Sequence, residues 1–454
     1  MSTKRFLYIV CGIGIMVRLC IMGVGFWVGG PAYYLNYSDA IGYLNIAKNI
    51  IAGQGVSFDI APPFIPTAHR TPGYPVFLTT SLFLSGGVGI ALGVQIILGA
   101  LLPLVSYWLI KRLYFDDRVA WGTALVLALE PFFAAHSAFL LTEVLFISIF
   151  LIICLWYRRY HREGDRSFIF GAAVLLGIAA LIRPIGLYLI FIFPLYAAVY
   201  EIMKRRNAPR ALVTAGIAVI IGVAVISPWL ARNYRIFGIA KLSSIDATNL
   251  LFWQGGSVLA VANGTTIDIE KRNLLDMMAR EGIDPKNPAS GSIFFKKTVQ
   301  IITAHPWAAL KLNALTAWQF FTHDAYYDLA VHLGFYQGRT GPPITILHLR
   351  DSLLRIPKLF IEDPAFIFFV AGRGMWIIIC ILFFCGVWRS FLNPANRERD
   401  AFALIIIAYF LLTTLSTGFG VTARLRLPIE PLYIAYALLG AGFMWNRVRR
   451  SIRI

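Results

Sequence analysis

The sequence predicts an all-α polytopic membrane protein, from its apolar composition, its long apolar runs and the placement of its basic residues. Of its 454 residues, 58% are hydrophobic and only 14% are charged, whereas about a quarter of a soluble domain is charged. Several runs approach the roughly 20 apolar residues that a helix needs to cross a bilayer. These properties exclude a soluble globular protein.

The first apolar run, residues 6–27, carries Arg18 as its only charge. It is longer than a signal-peptide core and no small-residue cleavage site clearly follows it, so we expect a retained first helix. With the later runs it predicts about ten crossings. The later runs are residues 89–110, 119–133, 139–157, 168–182, 187–202, 211–230, 366–388, 401–419 and 427–445.

Lys and Arg collect in alternate loops, which predicts that these loops and both termini are cytoplasmic. The protein is therefore expected in the cytoplasmic (inner) membrane, in contact with membrane lipids. The formal net charge of +18 is explained by this orientation signal and by attraction to anionic lipid, without nucleic-acid binding. The five Cys follow no disulfide or metal-binding pattern.

Two longer polar stretches are then expected on the outer side. Residues 29–87 form the first outer loop, within a membrane core of residues 1–232. Residues 233–363 form a modest extracytoplasmic region with amphipathic helices at 292–304 and 306–321 and a turn-rich tip at 338–343. Residues 364–454 supply the C-terminal membrane helices.

Asp39 is an isolated acid just past the first apolar run. It opens a stretch with helical spacing, which predicts a helix lying along the membrane. Asp39 could simply cap this helix together with Ser38. Alternatively it is a general base that removes the proton from an acceptor hydroxyl beside an apolar pocket. The apolar face consists of Ile41, Leu44, Ala47 and Ile51.

Two further acids stand at outer ends of predicted spans. Glu143 precedes the run Val144-Leu145-Phe146, where an ionisable group is expected to face a cavity or a partner unless the helix dipole satisfies it. Glu130, before Pro131, is the second candidate.

Arginines at outer helix ends run against the cytoplasmic bias. A planar guanidinium can grip a phosphate with two hydrogen bonds, so these arginines are candidates for holding a lipid phosphate. The alternative is that each one reaches toward lipid headgroups or caps backbone carbonyls. The candidates are Arg70, Arg183, Arg232, Arg424 and Arg426.

Five motifs in order resemble one family: Tyr-Ser-Asp with Tyr-Leu at 37–44, Arg-Thr-Pro-Gly-Tyr-Pro at 70–75, Leu-Thr-Glu at 141–143, Ile-Arg-Pro-Ile-Gly at 182–186 and Pro-Trp with Arg-Asn-Tyr at 228–234. They resemble the bacterial dolichyl-phosphate-mannose protein mannosyltransferase-like proteins. These are GT-C-fold, polyprenyl-phosphate-dependent glycosyltransferases related to the enzyme that adds aminoarabinose to lipid A. The resemblance covers residues 1–240, with weaker signals at 305–307 and 424–431.

The resemblance implies a transferase that moves a hexose or pentose from a polyprenyl phosphate to an acceptor hydroxyl on the outer face, with inversion. Asp39 matches the family's first-loop base, and Glu143 or Glu130 could fill the place of a second acid. In the protein mannosyltransferases that aspartate is followed by Glu, but here by Ala40. An envelope glycan or lipid is therefore favoured over a protein as acceptor.

Other functions stay open at this point. A flippase, polymerase or transporter of lipid-linked sugars would also use outer arginines, although it would not need the first-loop acid. No residue cluster has metal-ligand spacing, so no metal ligands are assigned and a divalent cation is left open. Candidates for substrate contact are Tyr43, His69, Tyr74 and Glu130.

Overall fold

The structure is a computed structural model that describes residues 2–114, 116–205, 207–285, 287–335, 358, 366–392 and 397–452. The described residues form helices and turns and contain no strand, which confirms the all-α prediction. The α-helices are α1 Thr3–Gly29, α2 Ser38–Ile51, α3 Gly73–Ser85, α4 Gly89–Tyr114, α5 Asp117–Leu129, α6 Pro131–Ala135, α7 Glu143–Glu163, α8 Arg166–Ile182, α9 Leu189–Arg205, α10 Ala208–Phe237, α11 Ile245–Thr248, α12 Gly256–Asn263, α13 Ile267–Arg280, α14 Gly291–Ala304, α15 Pro306–Thr322, α16 Tyr326–His332, α17 Phe366–Phe391, α18 Arg397–Leu415 and α19 Glu430–Ile452.

Within this described part, seven helices are long and apolar enough to cross a membrane, and each falls on a predicted span. Three other predicted spans are less clear: α5 has 13 residues, α8 has 17, and α18 begins with charged residues. A helix of 13 residues is only about 20 Å long, against a hydrocarbon core of about 30 Å. The count of ten crossings therefore stays a prediction.

The first outer loop contains the expected helix α2 and a second helix, α3, which the sequence analysis did not predict. Ala40, Tyr43 and Ala47 of α2 pack against Tyr74 and Leu78 of α3 in one apolar cluster. The closely spaced prolines before α3 suggest a turn-rich loop. Proline is nevertheless well tolerated in the first turn of a helix, so these residues are compatible with α3. The paired helices hold the start of α2, and with it Asp39, against the membrane helices.

Helices α14 and α15 lie where two helices were predicted after residue 290. The apolar side chains of α15 are, however, not confined to one buried face, since Trp307, Leu310 and Trp318 are exposed. Trp307 of α15 is 80% exposed. Helix α13 was not predicted. The predicted turn-rich tip at 338–343 lies outside the described residues.

Helices α17 and α19 pack backbone to backbone. A Cβ atom added to Gly386 would lie 1.9 Å from the Tyr436 carbonyl oxygen, and one added to Gly440 would lie 1.9 Å from the Leu382 carbonyl oxygen. Glycine is required because any side chain would separate these helices. Short 3₁₀ turns at Ala423–Leu425 and Leu427–Ile429 lead into α19. They carry Arg424 to the start of α7.

Candidate active site

Asp39 lies in the first turn of α2, where its carboxylate is held by two arginines. Arg70 Nη2 is 2.5 Å from Asp39 Oδ1, and Arg424 Nη1 is 2.7 Å from Asp39 Oδ2. No side-chain capping hydrogen bond forms at Tyr37, the residue that precedes the helix. The Asp39 side chain is engaged in ion pairs with two residues that are distant in sequence, Arg70 and Arg424.

Glu143 is the first residue of α7 and is fully buried. Arg183 Nη1 lies 2.5 Å from Glu143 Oε1, and Arg424 Nε donates a hydrogen bond to the same oxygen. Arg424 thus bridges Glu143 and Asp39. Five segments meet here: the start of α2, the loop before α3, the start of α7, the end of α8, and the turn before α19.

Backbone contacts bring the Arg70 loop to the end of α8. The Thr71 hydroxyl donates to the Ile182 carbonyl at 3.0 Å. A Cβ atom at Gly73 would lie 2.7 Å from the Leu181 carbonyl oxygen. Apart from their place in the Arg-Thr-Pro-Gly motif at 70–73, nothing in the sequence marks Thr71 and Gly73 as positioning residues.

The cluster of Asp39, Glu143, Arg70, Arg183 and Arg424 carries one surplus positive charge, because three guanidinium groups face two carboxylates. The side chains of the three arginines are 14–18% exposed, and that of Asp39 is 24% exposed. Arg70 Nε is buried without a hydrogen-bond partner among the described residues. A partly open, cationic cluster with an unused donor suits an anionic ligand.

Both carboxylate oxygens of Asp39 are paired with arginines, and these ion pairs determine its pKa. Burial by itself would raise the pKa of Asp39, but the charges of Arg424 and Arg70 outweigh burial and lower the pKa to about 2. The carboxylate is therefore ionised and weakly basic while the arginines hold it.

Neither neighbouring histidine adds positive charge near neutral pH. Burial and the charge of Arg70 lower the pKa of His69 to about 4. Burial likewise lowers the pKa of His136 to about 4. The His69 carbonyl accepts a hydrogen bond from Ser243 at 2.6 Å, so this residue also anchors the loop to the chain after α10.

Two candidate arginines lie outside this cluster in the structure. Arg232 Nη1 donates to the Thr67 carbonyl at 2.8 Å and to the Asn233 side chain, with its guanidinium over the Trp229 ring. Arg426 is fully buried, donates to the Phe320 and His323 carbonyls at 2.9 Å each, and stacks on Trp376. Arg232 Nη1 and both terminal nitrogens of Arg426 are thus engaged by the protein itself.

The remaining candidates divide between the cluster and its surroundings. The Arg70 guanidinium lies 5.2 Å from the centre of the Tyr43 ring. Tyr74 is buried and its hydroxyl donates to Gln95 at 2.6 Å. Glu130 is buried and accepts a hydrogen bond from the Phe133 backbone, so it caps α6.

A stacked pair that the sequence analysis missed joins α16 to the start of α2. The rings of Tyr37 and His332 are parallel within 11°, with centroids 3.7 Å apart, and Asn36 donates to the His332 carbonyl at 2.6 Å. No sequence signal pointed to this pair, because α16 lies in the region 233–363 at a position where no helix was predicted. Across the described residues, no group of three or more His, Cys, Asp or Glu side chains is arranged to hold a metal ion.

The fold and this cluster define the class of the protein as a polytopic membrane protein of GT-C architecture. Residues 69–231 match the family model described as dolichyl-phosphate-mannose-protein mannosyltransferase. This match covers about a third of the chain and confirms the resemblance that the motifs indicated. No curated protein matches the sequence.

Solved structures resemble the chain in fold. The apo oligosaccharyltransferase of Archaeoglobus fulgidus has a TM-score of 0.50 at 16% identity, covering 99% of this chain and 51% of its own. The present chain thus spans about half the length of that protein. The structure of ArnT from Cupriavidus metallidurans bound to undecaprenyl phosphate has a TM-score of 0.40 at 14% identity, covering 97% of this chain and 77% of its own. The apo structure of the same protein has a TM-score of 0.36 at 15% identity, covering 88% of this chain and 72% of its own.

Proposed function

We propose that this protein is a membrane glycosyltransferase that moves a sugar from a polyprenyl phosphate to an acceptor hydroxyl. The observation that carries the proposal is Arg424 bridging Asp39 and Glu143, with Arg70 and Arg183 beside them. The match to a mannosyltransferase family over residues 69–231 supports the same reaction class. The site faces the outer side of the cytoplasmic membrane in this proposal, with both termini cytoplasmic.

The arginines hold the phosphate of the donor. Arg70 and Arg183 each pair with a single carboxylate, and Arg70 keeps an unused Nε donor. The donor phosphate would replace Asp39 as the partner of Arg70 in a bidentate guanidinium grip, and it would bind Arg183 while Glu143 still holds that arginine. When the bond between the anomeric carbon and the phosphate oxygen breaks, the same arginines stabilise the negative charge that develops on the leaving phosphate.

Asp39 is the general base, and donor binding makes it available. While Arg70 and Arg424 hold both oxygens, its low pKa makes it a poor proton acceptor. A donor phosphate competes for these guanidinium groups, which frees a carboxylate oxygen and raises the basicity of Asp39. The acceptor hydroxyl then gives its proton to Asp39 as its oxygen attacks the anomeric carbon, and the polyprenyl phosphate departs from the opposite face with inversion.

Glu143 serves as the second acid by orienting arginines. It is fully buried, so the acceptor does not reach it, and its Oε1 holds both Arg183 and Arg424. The fixed guanidinium groups then keep their positions as the phosphate arrives. Because Ala40 follows Asp39, an envelope glycan or lipid is the acceptor that we favour over a protein.

The decisive experiment uses purified full-length protein in nanodiscs with a panel of synthetic undecaprenyl-phosphate sugars. Release of undecaprenyl phosphate, measured by mass spectrometry, is expected for at least one donor. Binding of sugar-free undecaprenyl phosphate is measured in parallel. A flippase or transporter would bind the lipid and leave every donor intact, which would overturn the proposal.

Arg183→Gln and Arg235→Gln form a matched pair for the phosphate role. Arg235 is an exposed residue near the end of α10 and does not contact the cluster. We expect Arg183→Gln to weaken undecaprenyl-phosphate binding by about tenfold or more, as the loss of one charge-assisted pair implies. Equal binding by both variants would contradict the assignment of Arg183.

A further inference from the structure

An open apolar groove runs between α17 and α19 at the end of these helices that is remote from Asp39. Its volume is about 700 Å³. Arg447 lies about five helical turns beyond Glu430 on α19, which is roughly 25 Å along the helix. The groove is therefore separate from the proposed active site. Its walls include Ile381, Phe384, Trp388, Phe443, Met444 and Arg447.

The close crossing of the two helices at Gly386 and Gly440 forms this groove. Backbones in direct contact leave the flanking side chains as two neighbouring ridges. Ile381, Phe384 and Trp388 are spaced by three and four residues, so they lie on one face of α17. Phe384 and Trp388 are 53% and 63% exposed.

The walls lie in helices that are long and apolar enough to span the membrane, Phe366–Phe391 and Leu427–Arg449. An apolar groove in that region is in contact with acyl chains and not with water. What distinguishes it from any lipid-facing surface is the cation at its edge.

Arg447 supplies that cation. It is exposed, and its guanidinium lies 5.1 Å from the centre of the Phe443 ring in the groove wall. Among the described residues, no carboxylate forms an ion pair with Arg447. Arg449 belongs to the same helix end, but it lies over Trp445 and does not line the groove.

We propose that this groove binds one anionic phospholipid, with an acyl chain along the apolar walls and the phosphate on Arg447. The complementarity is that of an open apolar groove with a guanidinium at its edge, which fits an acyl chain with an anionic headgroup at one end. Basic residues beside grooves between membrane helices are suited to anionic headgroups. The arginines at this end are on the predicted cytoplasmic side, where anionic lipid is attracted by the same charges.

The test uses native mass spectrometry of the full-length protein with equal amounts of phosphatidylglycerol and phosphatidylcholine. We expect one phosphatidylglycerol to be retained preferentially. Arg447→Gln should reduce this preference about fivefold, since one Arg contributes about that factor to binding an anionic lipid. Arg449→Gln is the matched control and should leave the preference unchanged.

A second measurement locates the lipid. The fluorescence contributed by Trp388 is obtained as the difference between wild type and Trp388→Phe. Brominated phosphatidylglycerol should quench this contribution more strongly than brominated phosphatidylcholine does. Equal effects of the two arginine substitutions would indicate diffuse surface charge and overturn the proposal. It would also be overturned by equal retention of both lipids, or by a dimer in which Trp388 is shielded from both brominated lipids.

Discussion

Arg424 Nη1 donates to Asp39 Oδ2 at 2.7 Å, although the two residues are 385 positions apart in the sequence. The same guanidinium donates to Glu143 through Nε. A single side chain from the last turn before α19 therefore connects the first outer loop to the start of α7. Through this residue the proposed base, the buried acid and the arginines proposed to bind phosphate form one unit.

Asp39→Asn should separate the base from a helix cap. Asn caps a helix about as well as Asp but cannot accept the proton, so we expect turnover to fall by about 10²- to 10⁴-fold. Binding of undecaprenyl phosphate should be retained, because the arginines remain. Donor cleavage and lipid binding measured on the same preparation check this. Wild-type turnover by the variant would leave capping as the role of Asp39.

Arg424→Gln should destabilise the fold, because among the described residues it leaves buried Glu143 with Arg183 as its only ion-pair partner. Removing one member of a buried ion pair typically costs about 3–5 kcal/mol. The double variant Arg424→Gln/Glu143→Gln should recover part of this loss, since the uncompensated charge is also removed. Denaturant unfolding of wild type, both single variants and the double variant gives the coupling. Strictly additive effects would contradict a direct interaction.

The low pKa of Asp39 predicts an acid-dependent loss of stability. A carboxyl group whose folded-state pKa is lowered stabilises the fold above its unfolded pKa of about 3.9, and this contribution disappears as the pH falls toward about 2. The contribution at neutral pH is roughly 2 kcal/mol. Unfolding free energies of wild type and Asp39→Asn between pH 6 and pH 2 should therefore converge on the acid side. Parallel profiles would show that Asp39 is not held by the arginines.

Arg426→Lys should weaken lipid phosphate binding although Arg426 does not face the cluster. Arg426 holds the Phe320 and His323 carbonyls, and it stands two residues from Arg424. Lysine keeps the charge but cannot place two donors in a planar fork, so the turn that carries Arg424 should shift. We expect the Kd for undecaprenyl phosphate to rise about tenfold.

The double variant Arg426→Lys/Glu430→Gln tests whether Arg426 positions the turn that carries Arg424 or only stabilises the fold. Glu430 lies near Arg426 within the buried region, with Arg426 Nε 3.4 Å from Glu430 Oε1. A change in thermal stability without any change in lipid affinity at 25 °C would show that Arg426 supports the fold alone.

His69→Asn should have little effect on lipid binding. The pKa of His69 is lowered to about 4, so the imidazole is neutral at pH 7 and adds no charge beside Arg70. Undecaprenyl-phosphate affinity measured at pH 6 and pH 8 should be the same for this variant and for wild type. A loss of affinity that appears only at the higher pH in wild type would assign the phosphate contact to protonated His69.

The amino-acid sequence by itself determined the all-α membrane class, the seven clear spans and helix α2, and it singled out Asp39 as a candidate base. These features depend on hydrophobicity and on helical spacing within short stretches, which are properties of neighbouring residues. Helix α3 was missed because its first turn contains prolines that also occur in loops. The Asp39, Glu143 and Arg70 candidates came from their positions next to predicted spans and from motifs whose order is visible along the chain.

Only the tertiary structure decided which arginines meet the acids. Arg183, Arg232, Arg424 and Arg426 all stand at predicted outer helix ends, and their local sequences do not distinguish them. Packing turns Arg424 toward Asp39 and Glu143, whereas Arg426, two residues later, points into the protein and holds carbonyls at the end of α15. The physical reason is that a side chain's partner depends on how distant helices pack and on which backbone groups they leave unpaired.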